Sequence, residues 1–158
     1  MMKEGREPKD KDFLLNDRWH GSSNLVAKTY VQTYNGINGK RDEACFRWVG
    51  SSRRDLRAFP APVRRDMGQA LYAAQWGEEY PGVKALQGFG GRSVLEIVAP
   101  HAGDTYRAVY TVRFEDAIYV LHAFQKKSKR GLSTPKKEID LIKQRLAAAE
   151  QDYRERHN

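Results

Sequence analysis

At 158 residues with 40% apolar side chains, the chain is long enough to bury the core of one compact domain. No run approaches the ~20 apolar residues that span a bilayer, and the N-terminal KEGREPKDKD mixes charge signs where a signal peptide needs an apolar segment, so a soluble, cytoplasmic protein is expected. The lone Cys45 excludes an internal disulfide, and the excess of 28 Lys and Arg over 20 Asp and Glu, a net +8, favours a polyanionic or acidic partner.

Residues 1–44 hold 8 basic and 7 acidic side chains, which leaves 20 against 13, or +7, in residues 45–158. The first segment lacks a sustained apolar period and reads as a poorly ordered extension, with NLVAKTYVQTY its one strand-like piece. An over-called translation start or a tag would read the same way.

From Cys45 the pattern tightens. CFRWVG reads as a short strand ending at Gly50, with Cys45 as a buried structural thiol. Ser51 or Ser52 then caps a helix through RRDLRAF, which Pro60 interrupts. Pro62 suits the first turn of a second helix, where Val63, Met67, Leu71 and Ala74 share one face and Gly77 marks the end. The pair forms an αα-hairpin whose other edge carries Arg53, Arg54, Arg57, Arg64 and Arg65.

EEYPGVKALQGFGGR is expected to be a loop, and three strands follow it: Val94 to Ala99, TYRAVYTVR and AIYVLHAFQ. The intervals PHAGD and FEDA are short and turn-rich, so the strands form an antiparallel meander. The third is apolar on both faces and is expected to be central. Ser133 and Thr134 before Pro135 mark the start of an amphipathic helix along Ile139, Ile142, Leu146, Ala149 and Tyr153. The order β-α-α-β-β-β-α predicts a small α+β domain over residues 45–158, a twisted antiparallel sheet packed by helices with room for one open face.

Alternation in TYRAVYTVR puts Arg107, Val109, Thr111 and Arg113 on one face. A central-strand arginine needs a partner, so Arg107 either pairs with Glu96 on the next strand or stays free to hold an anion, and the anion is the preferred reading. Pairing of Phe114 with Ala117 in the hairpin would set Arg107 opposite Phe124. His122 interrupts an apolar run and is followed by Lys126, Lys127, Lys129 and Arg130. A lone histidine there is most often a core residue, but nearby cations keep an imidazole neutral and able to accept a proton. Phe124 offers a stacking surface for a base, and KKSKRG, at the sheet edge, offers phosphate contacts extended by Lys136 and Lys137. GFGGR lacks the spacing of a nucleotide-binding loop and is expected only to deliver Lys84 and Arg92 toward the sheet. The scattered His20, His101, His122 and His157 give no metal-ligand spacing.

The series KALQGFGG, VLEIV, DTYRAVYTVR, YVLHAFQKKSKRG and TPKKEIDLIKQRL resembles the RelE/ParE superfamily of toxins from type II toxin-antitoxin modules, most closely its HigB-like, phage Gp49-related branch, over residues 45 to about 153. The resemblance implies a RelE-like fold and ribosome-dependent mRNA cleavage, an endoribonuclease activity in which the 2′-OH attacks the adjacent phosphate without metal or other cofactor. Carried over, Arg107 of the YR motif and Lys127, flanked by Lys126, stabilise the phosphate. His122 is the candidate for proton transfer and Glu96 the second candidate, because VLEIV lacks the lysines that RelE carries on this strand. Lys84, Arg92, Phe124, Lys126, Lys129, Arg130 and Lys136 are then the RNA-binding set. The implied partners are mRNA on the ribosome and a cognate antitoxin, commonly a helix-turn-helix protein. The rival readings are a ParE-type inhibitor of DNA gyrase and a non-catalytic basic nucleic-acid-binding protein.

Overall fold

The structure, a computed structural model, describes residues 45–91, 93–126 and 133–158. The expected extension over residues 1–44, and the candidates Arg92, Lys127, Lys129 and Arg130, lie outside the described residues. Strand β1 (Cys45–Trp48) leads into helices α1 (Ser52–Arg57) and α2 (Ala61–Gln75). Strands β2 (Val83–Ala85), β3 (Val94–His101), β4 (Asp104–Thr111) and β5 (Ala117–Lys126) follow, and helix α3 (Lys136–His157) ends the chain.

The five strands form one sheet in the order β1-β5-β4-β3-β2. The meander β3-β4-β5 is antiparallel, as its short turns require; β1 pairs with β5 in parallel at one edge, and α1 and α2 carry the chain from β1 to β2 at the other. β2 corrects the expectation of a loop: Val83, Lys84 and Ala85 pair with Ile97, Glu96 and Leu95. Three residues are too few to show a period of two. The β3–β4 connection is tighter than the expected five-residue turn. His101 pairs with Asp104, and the two residues between, Ala102 and Gly103, both have positive φ (49° and 82°), the conformation of a type I′ hairpin turn.

Both faces of the sheet are covered, so the expected open face is also corrected. On one side Leu56 of α1 and Val63, Met67 and Leu71 of α2 pack against Ile97, Ala99, Tyr106, Ala108, Tyr110, Ile118 and Val120. On the other, Ile142, Leu146 and Ala149 of α3 pack on Val94, Val109, Ala117, Tyr119 and Leu121. Each fully buried side chain of this size contributes about 1.5–3 kcal/mol. The buried hydroxyl of Ser52 donates to the Val120 carbonyl at 2.9 Å and pins α1 to β5. Among the described residues no helix is long and apolar enough to cross a membrane.

One irregularity decides where the polar residues of β5 point. Tyr110 pairs with Val120, but Val109 pairs with His122, so Leu121 is the extra residue of a β-bulge. Ile118 and Val120 face α1 and α2; beyond the bulge the alternation is reversed, and Ala123 takes that side while His122, Phe124 and Lys126 turn toward α3. Arg107 does lie opposite Phe124. The register at the hairpin end is one residue off the expected Phe114–Ala117 pairing, and the bulge restores it.

Candidate functional site

On the α3 face, neighbouring cross-strand rows carry the polar candidates. One row runs Glu96, Val109, His122, and the next runs Val98, Arg107, Phe124. With strands about 4.8 Å apart, Glu96 and His122 stand on the order of 10 Å from each other, with Arg107 diagonal to both.

Arg107 is 3% exposed and donates from Nη1 to Glu96 Oε2 at 2.7 Å. The Thr134 hydroxyl lies 3.2 Å from the same Nη1 and donates to Glu96 Oε2 at 3.3 Å, while Lys84 Nζ stands 3.4 Å from Glu96 Oε1. The preferred reading of Arg107 as unpaired is therefore corrected in favour of the alternative, since its Nη1 is engaged with the buried carboxylate of Glu96. The reason is energetic: an uncompensated guanidinium in a central strand costs several kcal/mol, and Glu96 on the adjacent strand is the available counter-charge. Lys84 reaches Glu96 directly from β2, so the glycine loop that follows it in the chain does not deliver it.

His122 is 6% exposed, and both of its ring nitrogens are engaged. Nε2 lies 2.6 Å from Glu138 Oε2, and Nδ1 lies 3.0 Å from Nη1 of Arg145. A guanidinium can only donate, so Nδ1 accepts and the Nε2 proton points at Glu138, which defines one neutral tautomer. Phe124 stacks on this imidazole, with ring centroids 5.0 Å apart and planes at 19°, so one of its faces is covered by His122. Among the described residues, the cation that touches the histidine is Arg145 of α3.

Arg145 ties three elements together. Its Nη1 also donates to the carbonyl of the bulged Leu121 at 2.9 Å, and its Nη2 donates to the Ser51 hydroxyl at 2.8 Å, which donates in turn to Asp55 at 2.6 Å. Burial opposes the charged form of Asp55, but hydrogen bonds from Ser51 and Arg54 and the charge of Arg145 outweigh it and hold the carboxyl below its usual value. Gly50 makes room for this arrangement: its φ is +57°, and a Cβ there would lie 3.0 Å from Arg145 Nε.

The structure thus brings Arg107, Glu96 and Lys84 into one cluster and His122 and Phe124 into another on the same face. Lys126 turns back and donates to the Ser133 carbonyl at 2.9 Å, and Lys136 is exposed in the first turn of α3. Sequence reasoning missed Glu138 and Arg145. The available signal was their spacing, since residues 138 and 145 flank the apolar stripe Ile139, Ile142, Leu146 and Ala149, where a charge must find a buried partner. Ser133 and Thr134 were expected to mark the start of α3; Pro135 is its cap residue, no side chain caps the helix, and the Thr134 hydroxyl serves the Arg107–Glu96 pair. Among the described residues no three His, Cys, Asp or Glu side chains are grouped so that they could hold a metal ion.

Residues 54–147 match the family model described as Phage derived protein Gp49-like (DUF891). No curated protein and no solved structure matches the chain.

Proposed function

Because this chain belongs to the phage-derived Gp49-like family, a RelE/HigB-like toxin family, we propose that it is the toxin of a type II toxin-antitoxin module and acts by cleaving mRNA on the ribosome. The family is associated with such toxins, which broadly suggests nuclease activity and an antitoxin partner. The observation that carries the finer reading is the Arg107 guanidinium, held in place by Glu96 and Thr134 on the face that also holds the His122–Glu138 pair.

Cleavage through the 2′-OH requires removal of one proton, stabilisation of the charge that builds on phosphorus, and protonation of the leaving O5′. In the proposed reaction Arg107 supplies the fixed positive charge, with Lys127 and its neighbour Lys126 as further cations. Glu96, the second candidate for proton transfer, instead orients Arg107, because its Oε2 is shared between Arg107 and Thr134 and its Oε1 faces Lys84. Proton transfer falls to the His122–Glu138 pair. The products are a 2′,3′-cyclic phosphate and a 5′-OH. Phe124, with one face on His122, and the exposed Lys84 and Lys136 are assigned to RNA contact.

The test is primer extension on a defined mRNA in a reconstituted translation system, with and without ribosomes, using wild type and Arg107→Gln. Ribosome-dependent cuts that disappear in the variant, with its fold verified by circular dichroism, support the proposal. Absence of cuts in every lane, together with accumulation of relaxed plasmid in cells, would move the function to gyrase inhibition.

A further inference from the structure

We propose that Glu138 is the proton acceptor of this site, and that His122 and Arg145 are positioning residues that aim its carboxylate; the inference rests on the nuclease reading above. It follows from which atoms remain available. His122, the candidate nearest to hand, has both nitrogens committed and is 6% exposed, so it has no lone pair to offer a substrate hydroxyl. Glu138 keeps one. Its Oε2 accepts from His122, while its Oε1 lies 3.8 Å from the Nζ of the exposed Lys137, and the side chain is 16% exposed.

Its position is tied to the Arg107–Glu96 pair. Glu138 lies in the first turn of α3, four residues after Thr134, whose hydroxyl bonds to the Arg107–Glu96 pair. His122, behind it, stands on the strand that pairs with Arg107. In the proposed complex the phosphate lies on the Arg107 side and its neighbouring ribose toward the start of α3. The chain Asp55–Ser51–Arg145–His122–Glu138 runs from α1 to Arg145 on α3, across to β5 and back to the first turn of α3, and each link fixes the next. Arg145 holds the imidazole in the tautomer whose Nε2 proton orients Glu138. Gly50 leaves the space for that guanidinium. An acidic residue in a first helical turn also complements the helix dipole, but that role needs neither a histidine at 2.6 Å nor an arginine behind it.

In the proposed step the 2′-OH proton passes to Glu138 Oε1 as the O2′–P bond forms and the P–O5′ bond breaks. The leaving O5′ takes a proton from water, and Glu138 returns its own proton to water after product release, so the balance closes without a redox partner. Among the described residues the groups that face Glu138 are His122 from β5 and Lys137 on its own helix, with Arg145 behind His122.

The experiment uses the full chain in the ribosome-dependent cleavage assay with wild type, Glu138→Gln and Arg145→Lys. Glutamine keeps a carbonyl to accept from Nε2 but has no base, so we expect cleavage to fall by about 100-fold or more and the acid limb of the pH–rate profile to disappear. Nitrogen-15 NMR of the wild type should show His122 with Nδ1 unprotonated and Nε2 protonated, and Arg145→Lys should mix the tautomers and lower the rate with the limb retained. Cleavage by Glu138→Gln within threefold of wild type, or a wild-type His122 protonated at Nδ1, would overturn this inference and leave the nuclease function standing. Failure of the wild type to cleave at all would overturn both.

Discussion

The two faces of the sheet solve the same packing problem with different chemistry. Against α1 and α2 the interface is apolar, built from Leu56, Met67, Leu71, Ile97, Tyr110 and Val120. Against α3 it is apolar around Ile142, Leu146 and Ala149 but gives way to Glu96, Arg107, Thr134, His122, Glu138 and Arg145. Buried ion pairs add little net stability compared with well-packed hydrocarbon, because desolvation offsets most of their attraction. A set of charges assembled under one helix while the other helices pack on hydrocarbon marks the α3 face as the one shaped by something other than stability.

Replacements on the two faces should therefore separate activity from stability. The largest effect is expected for Arg107→Ala, with cleavage reduced by more than ~100-fold. The same change leaves Glu96 buried with Lys84 and Thr134 as its remaining neighbours, and urea titration should show a loss of about 3–5 kcal/mol. On the dry face, Met67→Ala should cost about 2–5 kcal/mol in the same titration and leave the specific activity of the folded fraction unchanged. The double replacement Glu96→Leu with Arg107→Met is the sharpest comparison: stability should stay within about 1 kcal/mol of wild type, or rise, while cleavage is lost. Stability that collapses in the double variant would show that the ion pair is structural first.

Smaller effects lie away from both faces' centres. Tyr119 donates its hydroxyl to Asp152 at 2.7 Å. Hydrogen bonds from Arg156 and Tyr119 hold the Asp152 carboxyl below its usual 3.8, and burial, together with Asp152, pushes the Tyr119 phenol above 10.0. A depressed carboxylate contributes stability above its unfolded pKa and loses it as pH falls through the folded one. Tyr119→Phe should thus be slightly less stable than wild type at neutral pH, and the difference should shrink in thermal melts below about pH 4. At the β3–β4 turn, Ala102 sits at φ 49°, which asparagine tolerates better, so Ala102→Asn should raise stability by roughly 0.5–1 kcal/mol with activity unchanged.

The helices and the meander were legible because their signals are local. Val63, Met67 and Leu71 repeat with the helical period, Pro62 falls at the second position of α2, and Gly77 follows its end with φ 70°. The three meander strands were legible from alternation and turn residues, with boundaries short by a residue or two at PHAGD. β2 was not, since three residues carry no period. The candidate site was legible in part. Arg107, Glu96 and His122 could be named from their residue types within apolar strands, and Glu96 was named as the alternative partner of Arg107, although the unpaired reading was preferred. Glu138 and Arg145 could not be assigned, because their roles depend on which strand α3 covers.

Sequence alone determined the parts of this protein that depend on near neighbours in the chain: element order, the apolar stripes, the α+β class and the surplus of positive charge. Tertiary structure alone decided the bulge at Leu121, which swings His122 from the α1–α2 side to the α3 side, and the pairing of every charge beneath α3. The physical reason is range. Periodicity and turn preference act over a few residues, whereas a buried charge is stabilised by whichever partner the folded chain brings within about 3 Å, and Arg145 meets Ser51 across a separation of 94 residues.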